Sequence, residues 1–165
     1  MTILRWLLRI VLGAIALVAL LFIGARFHDG PLGPIPGGAL EAGPEVTEPI
    51  GDWSFAKEVD EIELQLASQE TSRITWILVH EGQAYVPCSL GFPPGKSWYK
   101  RAVVDGRATL RIEGRRYPVT LTKLDDAATQ QLEPTVRAEV VRKYGQPPPS
   151  EAGVWLFRVA SRPAS

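Results

Sequence analysis

The apolar residues of this chain change their spacing along its length, and each spacing predicts a different element. Ile10 to Ala25, between Arg9 and Arg26, carries neither a charge nor a polar face, and Ile3, Leu4, Trp6, Leu7 and Leu8 extend it toward the N-terminus. A membrane-crossing helix needs roughly 20 apolar residues. The segment therefore predicts a single-pass transmembrane anchor over residues 1–27 in the lipid bilayer, with Arg5 and Arg9 snorkelling to head groups and Trp6 at the interface. Two arginines precede the apolar core and one follows it, near Asp29, which favours a cytoplasmic N-terminus and an exported domain. A cleaved signal is the rival reading, with Arg5 and Arg9 as its basic region, but Ile23-Gly24-Ala25 makes a poor cleavage site. A buried core helix conflicts with the missing polar face.

Residues 28–50 are dense in Gly and Pro, with Pro31, Pro34, Pro36, Pro44 and Pro49 interrupting any helix or central strand, so a linker is expected there. Ile35, Leu40 and Ile50 give it apolar points by which to lie extended against the domain.

From residue 51 to 165 the spacing is mainly that of strands. Ile62, Leu64 and Leu66 alternate with Glu61, Glu63 and Gln65, and Arg73 to His80 is apolar on both faces, as a central strand would be. Glu81-Gly82-Gln83 turns into Ala84 to Cys88, making a hairpin. After a Pro/Gly loop, Leu90 to Gly95, Ser97 is placed to cap a short helix ending at Val104, closed by Asp105-Gly106. Arg107 to Glu113 and Tyr117 to Lys123 alternate about a turn at Gly114. Asp125 to Tyr144 reads as a helix that Pro134 divides or restarts, ended by Gly145, and Val154 to Ala160 is a last strand. The expected fold is α+β: an N-terminal transmembrane helix, then a small six-stranded, mostly antiparallel barrel with one or two helices.

Charge sharpens this picture more than composition does. Glu41 to Glu70 holds nine acids against Lys57 alone, whereas Lys96 to Arg116 holds seven bases against Asp105 and Glu113. A domain so divided is unsuited to general nucleic-acid binding but can build a local site for a small anion; two solvated faces that attract each other are the plainer reading. Cys88 is the single cysteine, which excludes an internal disulfide and a cysteine metal cluster. P-loop, GxSxG, HExxH and CxxC patterns are absent, so hydrolase and nucleotide-triphosphatase chemistry has no support.

The order of the elements is the first likeness to a known family. The rest lies in Gly82 of the hairpin, Tyr85-Val86-Pro87 and Ser89 on the next strand, Lys96-Ser97-Trp98-Tyr99-Lys100-Arg101 opening the helix, Ala108-Thr109-Leu110-Arg111-Ile112 and the turn Gly114. Over about Trp76 to Leu121 the chain resembles the split β-barrel superfamily of pyridoxamine-phosphate-oxidase-like flavoproteins and deazaflavin-dependent nitroreductases. The resemblance implies FMN or a deazaflavin as cofactor, a small-molecule redox substrate and a homodimer. It directs attention to Ser89, Lys96, Ser97 and Arg101 for the cofactor phosphate, which takes charge-assisted donors from such side chains, and to Trp98 or Tyr99 for covering the ring. The plain reading of the same residues is solvated Lys96 and Arg101, a capping Ser97 and a core Trp98.

The loop departs from the family pattern in carrying Pro93 and Pro94. A cofactor-free, membrane-tethered binding or scaffolding barrel, with Trp53, Phe55 or Phe92 as contact residues, is therefore the alternative function. His80 beside Glu81 is a candidate for titration near neutral pH or for haem ligation, with a structural role as its plainer reading. His28 is placed at the membrane exit, and Cys88 is expected to be buried and inert unless basic neighbours activate it.

Overall fold

A computed structural model of the chain describes residues 2–91, 94–145 and 153–163. Helix α1 (Thr2–Ala25) is exposed from Ile3 through Gly24 and becomes buried only at Ala25, where it meets the domain. It is long and apolar enough to cross a membrane, a property that spans and signal sequences share.

The rest is built on one sheet of seven antiparallel strands: β1 (Glu61–Leu66), β2 (Ser72–Trp76), β3 (Leu78–His80), β4 (Gln83–Ser89), β5 (Arg107–Ile112), β6 (Arg115–Lys123) and β7 (Val154–Ser161). Their order is β2-β1-β5-β6-β7-β4-β3. Seven strands replace the expected six because the segment read as one central strand, Arg73 to His80, is divided at Ile77. Its first part pairs with β1 and its second with β4. These halves are the two edges of the ladder, and Ile77, 2% exposed, joins them. The sheet must therefore curl until its edges meet there, while the ladder itself remains open between β2 and β3. Two turns set the hairpins: Glu81-Gly82 (φ 50° and 75°) and Glu113-Gly114 (φ 48° and 77°). Positive φ at both central positions gives a turn whose twist matches that of the strands.

Alternation decides which side chains enter the curl. Leu64, Val86, Leu110, Val119, Phe157 and their in-phase neighbours form the inner core, in which β1 and β5 share the burial pattern written by their sequence alternation. Trp53 and the 3₁₀ turn Ser54–Ala56 pack at one end, with the Trp53 N–H donating to the Gly82 carbonyl at 2.8 Å. Helix α2 (Trp98–Val104) covers the other end through Trp98 and Ala102. Ser97 sits at its N-cap position, but its side chain makes no capping bond.

Helix α3 (Asp126–Tyr144) lies against the outer side of the sheet, where Val136 and Val140 meet Leu78 and Leu156. Asp125 caps it by accepting from the Ala128 N–H at 2.7 Å, and Gly145 (φ 70°) ends it. The expected break at Pro134 does not occur. Pro134 and Gln130 are both exposed, so the carbonyl that loses its helical donor is open to water, which lowers the cost of an interior proline.

The Pro/Gly-rich stretch 28–50 is tied to the sheet at several points. Gly37 bridges Ser72, the Gly38 N–H donates to the His28 carbonyl, and Glu45 bridges Arg116. Arg111, nearly buried, donates to Glu63 and, at 2.5 Å, to Asp29. Burial raises the Asp29 carboxyl, but the Glu41 and Ala42 N–H groups and Arg111 more than offset it and bring it down to about 2.

Candidate functional site

The register gives the curled sheet two distinct ends. Leu66, Ser72, Ser89, Arg107, Lys123 and Val154 fall at one, and Glu61, His80, Gln83, Ile112 and Arg115 at the other. Most of the residues singled out from the sequence gather at the first end, because β4 finishes there and α2 begins and ends there.

Arg73 organises that end. It is paired across the ladder with Leu64, and directly opposed residues point to the same face, so its guanidinium enters on the core side. One Nη donates to the Gln69 side-chain oxygen at 2.8 Å, while the buried Nε has no partner among the described residues. Burial lowers the basicity of Arg73, and the charge of Arg101 lowers it further. Burial pushes the Cys88 thiol up to about 11, against the opposing pull of Lys96 and Arg73. The Cys88 thiol feels the charges of Lys96 and Arg73, and Arg73 feels that of Arg101. Cys88 is thus held protonated, which does not suit a nucleophile.

Other predicted residues are placed as follows. Ser89 is the last, half-buried residue of β4, and Ser97 is exposed. Trp98 is 5% exposed, with its ring centroid 5.5 Å from that of Phe157. Tyr99 is half-buried and meets Trp155 edge-on at 5.2 Å. Lys100 lies 5.9 Å from the Tyr99 centroid and Lys123 4.7 Å from that of Trp155, so two accessible rings carry a cation each. Arg101 is exposed.

Arg73 and Trp155 were not among the residues singled out from the sequence. An arginine opening an otherwise apolar stretch was the available signal for Arg73; nothing before the register is known brings Trp155 beside Tyr99. At the opposite end, His80 and Glu81 line an open groove of about 350 Å³ with Lys57 and Glu139. Trp53 is core rather than contact surface, Phe55 stacks on Tyr117 at 5.6 Å, and Phe92, like Pro93, lies outside the described residues. The His28 Nδ1–H donates to the Gly30 carbonyl at 2.9 Å. No grouping of His, Cys, Asp and Glu suited to a metal ion occurs among the described residues.

No protein-family model matches the chain, and no curated protein matches it in sequence. Among solved structures it is similar to a candidate pyridoxamine 5'-phosphate oxidase from Listeria innocua, at 10% identity and a TM-score of 0.45, covering 66% of this chain and 89% of that one. It is also similar to a NimC/NimA family protein from Clostridium acetobutylicum, at 13% identity and a TM-score of 0.41, covering 64% and 74%. Likeness at this level bears on no residue of the site.

Proposed function

We propose that the chain is a membrane-attached split-barrel domain that binds the phosphate of a flavin or deazaflavin at its cationic end and serves as an oxidoreductase. The observation that carries this reading is the half-buried Arg73, whose Nε has no partner among the described residues and which lies at the end of the sheet where β4 finishes and Lys96 and Arg101 flank the start of α2. A buried guanidinium nitrogen without a hydrogen-bond acceptor is costly, and a phosphate would satisfy it with a charge-assisted bond.

The residues fit the phosphate half of such a group through Arg73, Lys96 and Arg101. For the ring half they offer Tyr99 and Trp155, which are half-buried, rather than Trp98, which is core. A bound flavin would supply hydride or electron transfer; the chain's own part is to hold the phosphate, orient the ring and limit its contact with water. With α1 in the bilayer, the domain would act at the membrane surface on a small-molecule redox partner.

The test is purification of the full chain in detergent. A visible flavin or deazaflavin absorption band, or uptake of added FMN, supports the reading, and the double variant Lys96→Ala/Arg101→Ala should lose uptake while melting as the parent does. Each lost charge-assisted bond is worth about 1.5–3 kcal/mol, so affinity should fall at least about 100-fold for the pair. A colourless protein that takes up neither cofactor would refute it.

A further inference from the structure

The end of the sheet that carries the cations is also the end from which α1 departs. Arg26 reaches Glu70 in the β1–β2 turn at 3.7 Å, and the His28 carbonyl is bonded to Gly38, beside Gly37, which bridges Ser72 at the start of β2. The β1–β2 turn is joined to the start of β5, because the Ala67 N–H donates to the Arg107 carbonyl at 2.8 Å. Immediately before Arg107, helix α2 ends in Val103 and Val104.

Exposure at this end has an unusual pattern. Phe27 is 87% exposed and Val104 89%, with Val103 also open, so three apolar side chains stand exposed at the end of the sheet from which α1 leaves. Arg26, Lys100 and Arg101 are exposed beside them. The acids here are Glu70, paired with Arg26, Asp105, paired with Arg107, and Asp125 and Asp126 at the start of α3. At the opposite end the turns carry Asp52, Glu61, Glu81 and Glu113, with Lys57 and Arg115 as bases.

We infer that this end of the domain lies on the bilayer surface, with Val103 and Val104 inserted among the head groups and Arg26 and Lys100 facing anionic lipid. The inference rests on the reading of α1 as a membrane anchor. Continuity with α1 identifies the occupant: a helix entering the bilayer at Arg26 brings this end within reach of the interface, where apolar side chains and basic residues together are stabilised.

The test uses the full chain in vesicles of phosphatidylcholine and phosphatidylglycerol, with an environment-sensitive fluorophore on Val104→Cys, Arg115→Cys or Leu17→Cys. Cys88 is buried and protonated, so the unlabelled parent reports stray reaction. The expected result is deep-nitroxide quenching at position 17. At 104, lipid carrying a head-group-level nitroxide should quench at least about threefold more than at 115, where aqueous iodide dominates. Position 17 in the membrane with 104 as aqueous as 115 would overturn the docking and leave the anchor standing. Iodide access at 17 would overturn both.

Discussion

Arg73 and Cys88 both face the core, yet burial acts on them in opposite senses. It raises the thiol and lowers the guanidinium, and in both cases disfavours the charged form. With its thiol at about 11, Cys88 should react with an aromatic disulfide reagent at pH 8 about 100-fold more slowly than an unperturbed cysteine, the rate climbing with pH toward that value. A rate equal to that of free cysteine would show the thiol to be exposed or activated. Arg73→Met should leave the ligand-free protein as stable as the parent or about 1 kcal/mol more stable, since a half-buried cation with an unpaired Nε is replaced by an apolar group of similar length. Thermal melting checks this, and a loss of several degrees would mean that the guanidinium is needed for packing. Cys88 was legible from its place among apolar strand residues. Arg73 was not, because its facing is decided by pairing with Leu64, and register is a property of two strands rather than of one.

At the scale of elements, most boundaries followed from local rules, and the exceptions have tertiary causes. The alternation in β1 and β5 and the Asp125 and Gly145 caps of α3 can be read directly from residue type. The division of β2 from β3 cannot, because Ile77 is apolar like its neighbours and only the curling of the sheet sends the chain from one edge to the other. Helix α3 depends on a contact equally hidden from its own sequence. Lys143 is 3% exposed, donates to the Val59 carbonyl at 2.6 Å and the Ile77 carbonyl at 3.3 Å, and is paired with Asp60 and Glu139. It thus pins the last turns of α3 to the segment joining the sheet's edges. Lys143→Ala should cost about 2–3 kcal/mol, as it leaves the Val59 and Ile77 carbonyls without this donor and takes a cation from beside Asp60, while Glu139 keeps Arg142. Hydrogen exchange should show protection falling first over residues 136–144. Unchanged exchange there would mean that Val136 and Val140 suffice to hold the helix.

For the molecule as a whole, the relation of α1 to the domain is set by Arg111, which joins Asp29 just beyond the helix to Glu63 of β1. The Asp29 carboxyl lies below its ordinary value, so its contribution to stability is complete above about 3.8 and is lost as pH falls through about 2. Arg111→Met should reduce that acid-range dependence, leaving the part due to the Glu41 and Ala42 N–H groups, and make residues 29–42 more open to proteolysis at neutral pH, both measurable on the purified chain. An unchanged acid titration would place the stabilising partner of Asp29 in the backbone N–H groups of Glu41 and Ala42 alone. The apolar helix and the strand-rich domain were evident in the sequence, whereas the ties between residues 28–50 and the sheet join positions as far apart as Asp29 and Arg111.

The claim on which the functional account turns is that the cationic end receives a phosphate. Fluorescence titration of FMN and of riboflavin into the full chain, for the parent and for Arg73→Met, tests it directly. The account predicts that the parent binds FMN at least about tenfold more tightly than riboflavin and that Arg73→Met abolishes this preference without lowering the melting temperature. Equal affinity of the parent for the two ligands, or a preference for FMN that survives Arg73→Met, would contradict it.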